Sequence, residues 1–163
     1  MKKSAISICR ITLVIVLSAT SMTVLLSQDL EKEKQAIREL YFEMSQALID
    51  KDWKLYQSFW FHDTSLNVIH PEIRDWAKGW KAVETMCKPY FSPEVNMQVE
   101  LSADVFDVYI APSREFAWSL IDIKVIMGEQ VSESWQVTIL RKIDGKWRVN
   151  LAFDAGLPPE QSQ

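Results

Sequence analysis

The feature that most constrains this chain is a change of hydrophobic period near Val95. Before it, apolar residues recur every three or four positions. In "DLEKEKQAIRELYFEMSQALIDKD" Leu30, Ile37, Tyr41, Met44 and Leu48 fall on one stripe, which predicts an amphipathic helix capped by Asp29 and ended by the polar residues 50–52. A second, shorter helix is expected in "WKLYQSFWF", where Trp53, Tyr56 and Trp60 share a face. "LNVI" reads as a short strand, and "HPEIRDWAK" as irregular chain leading to a third helix that starts near Gly79. In that helix Trp80, Val83, Cys87 and Tyr90 form the inward stripe, and Pro89 and Pro93 close it. Beyond Val95 the period is two. "VNMQVELSADV" alternates Val95, Met97, Val99, Leu101, Ala103 and Val105 against polar neighbours, and "WRVNLAF" alternates Trp147, Val149, Leu151 and Phe153. Turns at Gly128 and Asp144-Gly145 join the strands between them. Helices followed by a four-strand meander predict an α+β domain, with helices on one face of a curved antiparallel sheet.

The first residues bear on location. Lys2, Lys3 and Arg10 precede an uncharged run over residues 11–28, the layout of a signal peptide, with Ala19 and Ser21 as small residues for a cleavage site. A retained membrane anchor is the competing reading, because about 17 apolar residues is the lower edge of a bilayer span. Residues 1–28 are therefore leader or anchor, 29–158 the domain and 159–163 a frayed tail. An exported (periplasmic or extracellular) domain is expected, and loss of the leader shifts the formal charge from −4 to −7. It also leaves Cys87 without a second cysteine, so stability has to come from burial. No Lys/Arg stripe is left to neutralise phosphates, which argues against nucleic acid as a partner.

With its elements in this order the chain resembles the nuclear transport factor 2-like superfamily, in its SnoaL-like branch. The resemblance runs from Glu31 to Pro158. It is carried by Ile37, Leu40, Met44, Ala47 and Asp52, the aromatic residues of the second helix, Gly79 with Ala82 and Val83, and the ending "LRKIDGKWRVNLAFDAGLPP". It implies a cone-shaped cavity between three N-terminal helices and the concave face of the sheet, and dimerisation through the other face. It implies no single activity, since isomerases, cyclases, hydrolases, dehydratases and non-catalytic association modules share the fold.

Several side chains have the chemistry of a site. His70, at the end of the short strand, could act as a general base or merely cap a loop beside Pro71. Glu133 falls in register with Val131, Trp135, Val137 and Ile139, which read as the buried face of their strand. An acid there must be paired, neutralised or raised in pKa, unless it reaches solvent near the strand's start. Asp122 depends on register: it faces the cavity if Trp118 and Leu120 do, and the opposite side if Ala117, Ser119 and Ile121 do. Resemblance to ketosteroid isomerase would make Tyr41 a hydrogen-bond donor to a ligand oxygen. Trp60, Trp80, Trp118 and Trp135 are either cavity lining or core. Leu151 and Phe153, on the expected inward register, predict an apolar cavity floor. Two separated histidines and one domain cysteine supply no metal-ligand cluster, and no glycine-rich phosphate loop suggests a nucleotide, so no cofactor is expected. The functional expectation is a container for a small apolar or aromatic molecule with weak proton-transfer chemistry. The alternative is a non-enzymatic dimerisation or interaction module with a packed interior.

Overall fold

The structure, a computed structural model, describes residues 28–69 and 76–156. The leader, His70, Pro71 and the tail lie outside the described residues. Two compact units divide at Gln35 and Ala36. In the first, residues 28–35 are helical, with Lys34 Nζ 2.9 Å from Glu31 Oε1. No described helix is long and apolar enough to cross a membrane.

The second unit begins with helical residues 36–49, labelled α1, followed by α2 (Trp53–Ser58), β1 (Asn67–Ile69), β2 (Ala77–Lys78) and α3 (Trp80–Cys87). A 3-10 turn over Lys88–Phe91 contains Pro89, which ends the α-helical pattern as expected. Four long strands follow: β3 (Met97–Ile110), β4 (Phe116–Met127), β5 (Gln130–Ile143) and β6 (Lys146–Gly156). Asp52 accepts a hydrogen bond from Leu55 N and so caps α2. Gly79 has φ 77°, a backbone conformation that an L side chain adopts only with strain, and its N–H donates to Leu66 O at 2.7 Å, which brings α3 close to the short strand. Asp144 and Gly145 both have positive φ, as a tight two-residue hairpin requires.

The sheet has six strands in the order β2-β1-β6-β5-β4-β3. β3 to β6 form the expected antiparallel meander. The expectation of a wholly antiparallel sheet needs correcting, because β1 lies parallel to β6, pairing Asn67, Val68 and Ile69 with Leu151, Ala152 and Phe153. β2 then adds antiparallel to β1, inside a stretch that reads as irregular from the sequence. The helices pack on one side of this curved, unclosed mixed sheet. The core lies between them, where Ile37, Tyr41, Leu66, Val83, Ile121, Leu140 and Val149 are completely or almost completely buried.

Two irregularities set which residues face that core. In β3 the register against β4 shifts between Leu101 and Phe106, so the inward set changes from Met97, Val99 and Leu101 to Phe106, Val108 and Ile110. In β6, Ile139 pairs with Leu151 but Leu140 with Val149, which leaves Asn150 as an extra residue. Trp147 and Val149 face inward before this bulge, and Ala152 and Asp154 after it. Leu151 and Phe153, expected inward, therefore turn to the outer face, where Phe153 is 41% exposed while Ala152 is 2% exposed. The apolar floor they predicted is not formed by them.

Candidate functional site

The inward face of β4 carries Ala117, Ser119, Ile121 and Ile123, all buried, followed by Val125 and Met127, which are only half-buried. β5 has the same gradient, with buried Leu140 and Thr138 giving way to half-buried Gln136 and Ser134. The concave side is thus sealed near the turns at residues 111–115 and 144–145 and becomes accessible toward the β4–β5 turn at Gly128.

Polar groups collect along this gradient. Ser119 and Thr138 sit opposite each other on β4 and β5, and α1 lays Tyr41 over them. Tyr41 Oη is 2.7 Å from Ser119 Oγ, it also hydrogen-bonds Thr138 Oγ1, and the two strand hydroxyls are 2.6 Å apart. Three mutual contacts among three hydroxyls use all three protons, so the buried trio satisfies itself. Burial pushes the Tyr41 phenol up to about 12, although the Ser119 and Thr138 hydrogen bonds pull the other way. The phenol is neutral at ordinary pH and its proton is committed to the ring. Donation to a ligand oxygen would require that ring to open.

One pair of residues outward along the strands, Gln136 Nε2 donates to Asp154 Oδ1 at 2.5 Å across the β5–β6 pairing. Both side chains face the helices and both are half-buried. Burial is the largest influence raising the Tyr41, Tyr56 and Cys87 pKa values, and the charge of Asp154 is the smallest of those that act on them. Tyr56 is pushed well above its ordinary value, first by burial and then by Cys87, whose thiol rises to about 11 for the same first reason. Cys87 is consequently a neutral thiol, packed under the Tyr56 O–H at 3.8 Å, and not an activated nucleophile.

The other sequence candidates are dispersed. Glu133, Trp135, Trp118 and Asp122 lie on the outer face, because even positions of β4 pair with odd positions of β5 and the buried hydroxyls occupy the opposite parity. Trp118 is 44% and Trp135 48% exposed, and Glu133 is exposed with Oε1 3.8 Å from Lys124 Nζ. Val131 and Ile139 are exposed as well, so the face read from sequence as buried is the outer one. None of these four candidates lines the space against the helices. Trp80 is held in an aromatic pile, stacked on Trp53 at 6.0 Å and on His62 at 3.9 Å. Tyr41 and Trp60 are the candidates that the fold brings to the interior. His70 is outside the described residues. Asp154, Gln136, Ser119 and Thr138 were missed. The polar pair Ser119 and Thr138 at mid-strand was the available signal for the hydroxyl trio, whereas nothing local marks Asp154 as inward, since only the bulge at Asn150 puts it there.

Comparison with known proteins agrees with this fold. The family profile described as a SnoaL-like domain matches residues 37–150. No curated protein matches the chain. Among solved structures, a candidate dehydratase of the nuclear transport factor 2-like family from Streptomyces avermitilis superposes with a TM-score of 0.68 at 11% identity, covering 78% of this chain and 98% of that one. A candidate scytalone dehydratase from Novosphingobium aromaticivorans gives 0.66 at 14% identity, over 81% and 89%. A nuclear transport factor 2-like superfamily protein from Salmonella enterica serovar Typhimurium gives 0.66 at 16% identity, over 81% and 96%. At these identities what is shared is the fold.

Proposed function

Because the chain belongs to the SnoaL-like domain family, we propose that it encloses a small, largely apolar or aromatic molecule between its helices and the concave face, and that Asp154 moves a proton to or from it. The observation that carries this reading is the position of Asp154: inward-facing, half-buried, and oriented by Gln136. A half-buried carboxylate with one oxygen held by an amide is a suitable general base for a carbon acid. Asp154→Asn keeps the shape and the contact with Gln136 but cannot accept the proton. Turnover of small enolisable ketones should fall by at least about 100-fold with binding retained. Unchanged turnover in this variant would remove Asp154 from the chemistry.

A second reading, compatible with the first, concerns the outer face. Tyr109, Trp118, Trp135, Ile139 and Phe153 are all exposed there, with Tyr109 and Trp118 stacked at 5.9 Å. Apolar surface of this kind favours burial against a partner, and the occupant we propose is a second copy of the chain.

A further inference from the structure

The outer face of the sheet carries its charges in two separate groups. Its positions follow from the strand pairing, in which Trp118, Asp122 and Lys124 of β4 stand opposite Ile139, Trp135 and Glu133 of β5. At the end of this face next to the Asp144-Gly145 turn, Arg141 is paired with Arg148 of β6, and both side chains are half-buried. Like charges directly opposite each other on a sheet are destabilising. Arg141 is held between the rings of Phe61 and Phe116, at 4.9 and 5.4 Å, and Arg148 Nη1 donates to Ser58 O at 2.5 Å. Among the described residues neither guanidinium forms an ion pair with a carboxylate. The charge of Arg141 reaches Asp63, but hydrogen bonds from Ser65 are the larger influence on that carboxyl. The opposite end of the face is acidic. Glu100 and Glu133 share one cation, Lys124, at 3.7 and 3.8 Å, and Asp122 occupies the next outward position of β4. Between the two groups the outward positions of β4 and β5 are uncharged: Trp118, Leu120, Val137 and Ile139.

We propose that a second copy docks on this face with its strand direction reversed, so that the arginine end of each copy lies over the carboxylate end of the other. The proposal rests on the reading that a second copy covers the outer face, and it fixes the sense of that packing. Two identical sheets stacked face to face, with strands within about 30° of each other, are related by a two-fold axis that runs either along the strands or across them. An axis along the strands sets Arg141 and Arg148 against the same two residues of the second copy. An axis across the strands sets them against Asp122 and Glu133. Val137 lies four residues from Arg141 and four from Glu133, so an axis at its level makes both contacts at once. The middle of the interface is then apolar and each end receives the charge it lacks. Complementarity of this kind sets register and excludes the wrong arrangement more than it adds affinity.

Sedimentation of the wild-type protein at about 50 mM and about 500 mM sodium chloride tests the proposal without any variant. Attraction between opposite ends is screened by salt, so the dimer dissociation constant should rise at least about fivefold. Arg141→Glu, with its fold checked by circular dichroism, should weaken the dimer at least about tenfold at the lower salt, and adding Glu133→Arg should restore it to within about threefold. A dimer that salt tightens or leaves alone, that Arg141→Glu does not weaken, or that Glu133→Arg does not restore would overturn the reversed packing and leave the second-copy reading standing. A wild-type protein that sediments as one copy at both salt concentrations would overturn both.

Discussion

At the scale of single residues the most consequential group is the Tyr41 phenol. Its pKa is about 12 in the fold against an ordinary 10.0, because burial penalises the phenolate. The unfolded chain therefore releases this proton first as pH rises. The stabilisation linked to it is complete below pH 10 and is lost progressively between about 10 and 12, to the extent of roughly 2–3 kcal/mol. Tyr56 is shifted in the same direction and adds to the alkaline loss. Tyr41→Phe should cost about 1 kcal/mol at pH 7, since Ser119 and Thr138 can still hydrogen-bond each other. It should also flatten part of the decline above pH 10. Urea unfolding at pH 7 and pH 11 checks both statements. An alkaline loss identical in the two proteins would show that Tyr41 is not the group responsible.

At the scale of elements, β6 shows what one extra residue does. Simple alternation from Trp147 and Val149 would carry Leu151 and Phe153 into the core, but Asn150 is accommodated as a bulge and the phase reverses. Ala152 then packs inward opposite Thr138, and Asp154 opposite Gln136. The expected consequence is an inversion of mutational sensitivity. Ala152→Val should overpack the core and cost about 1–3 kcal/mol, whereas Phe153→Ser should stay within about 1 kcal/mol. Urea midpoints at a protein concentration too low for self-association decide it, and the opposite order would mean that Phe153 is the inward residue. The interior aromatic positions were legible beforehand because Tyr41 lies on a helical stripe whose phase its own apolar neighbours define. Strands carry no such redundancy. An apolar residue on either side of β4 or β5 looks alike in sequence, and this is why Trp135 and Glu133 read toward the wrong face and the register of Trp118 stays open in sequence.

At the scale of the whole molecule, two faces of one sheet meet different needs. The concave face is covered by helices and carries the buried hydroxyls and Asp154, while the outer face presents tryptophans, with Lys124 between Glu100 and Glu133 at 3.7 and 3.8 Å. Exposed pairs of this kind add little stability, but they give the rim of an apolar surface its polarity. If two copies meet there, sedimentation of the wild-type domain at tens of micromolar should show a dimer, and Trp118→Glu should shift it to a monomer with its fold intact. A wild-type chain that sediments as one copy throughout would remove the second reading and leave the concave site untouched.

What the amino-acid sequence determined by itself was the succession of elements: helical periods up to about residue 90, strand periods after it, and tight turns where Gly128 and Asp144-Gly145 permit positive φ. These are local properties, dictated by backbone geometry and the spacing of apolar side chains along one segment. The phase of each strand, the parallel seat of β1 beside β6 and the inward turn of Asp154 were decided only in the tertiary structure. A period of two specifies that faces alternate but not which face is buried. That choice is made by the partner strand and by where an extra residue is taken up, and neither is written in the segment itself.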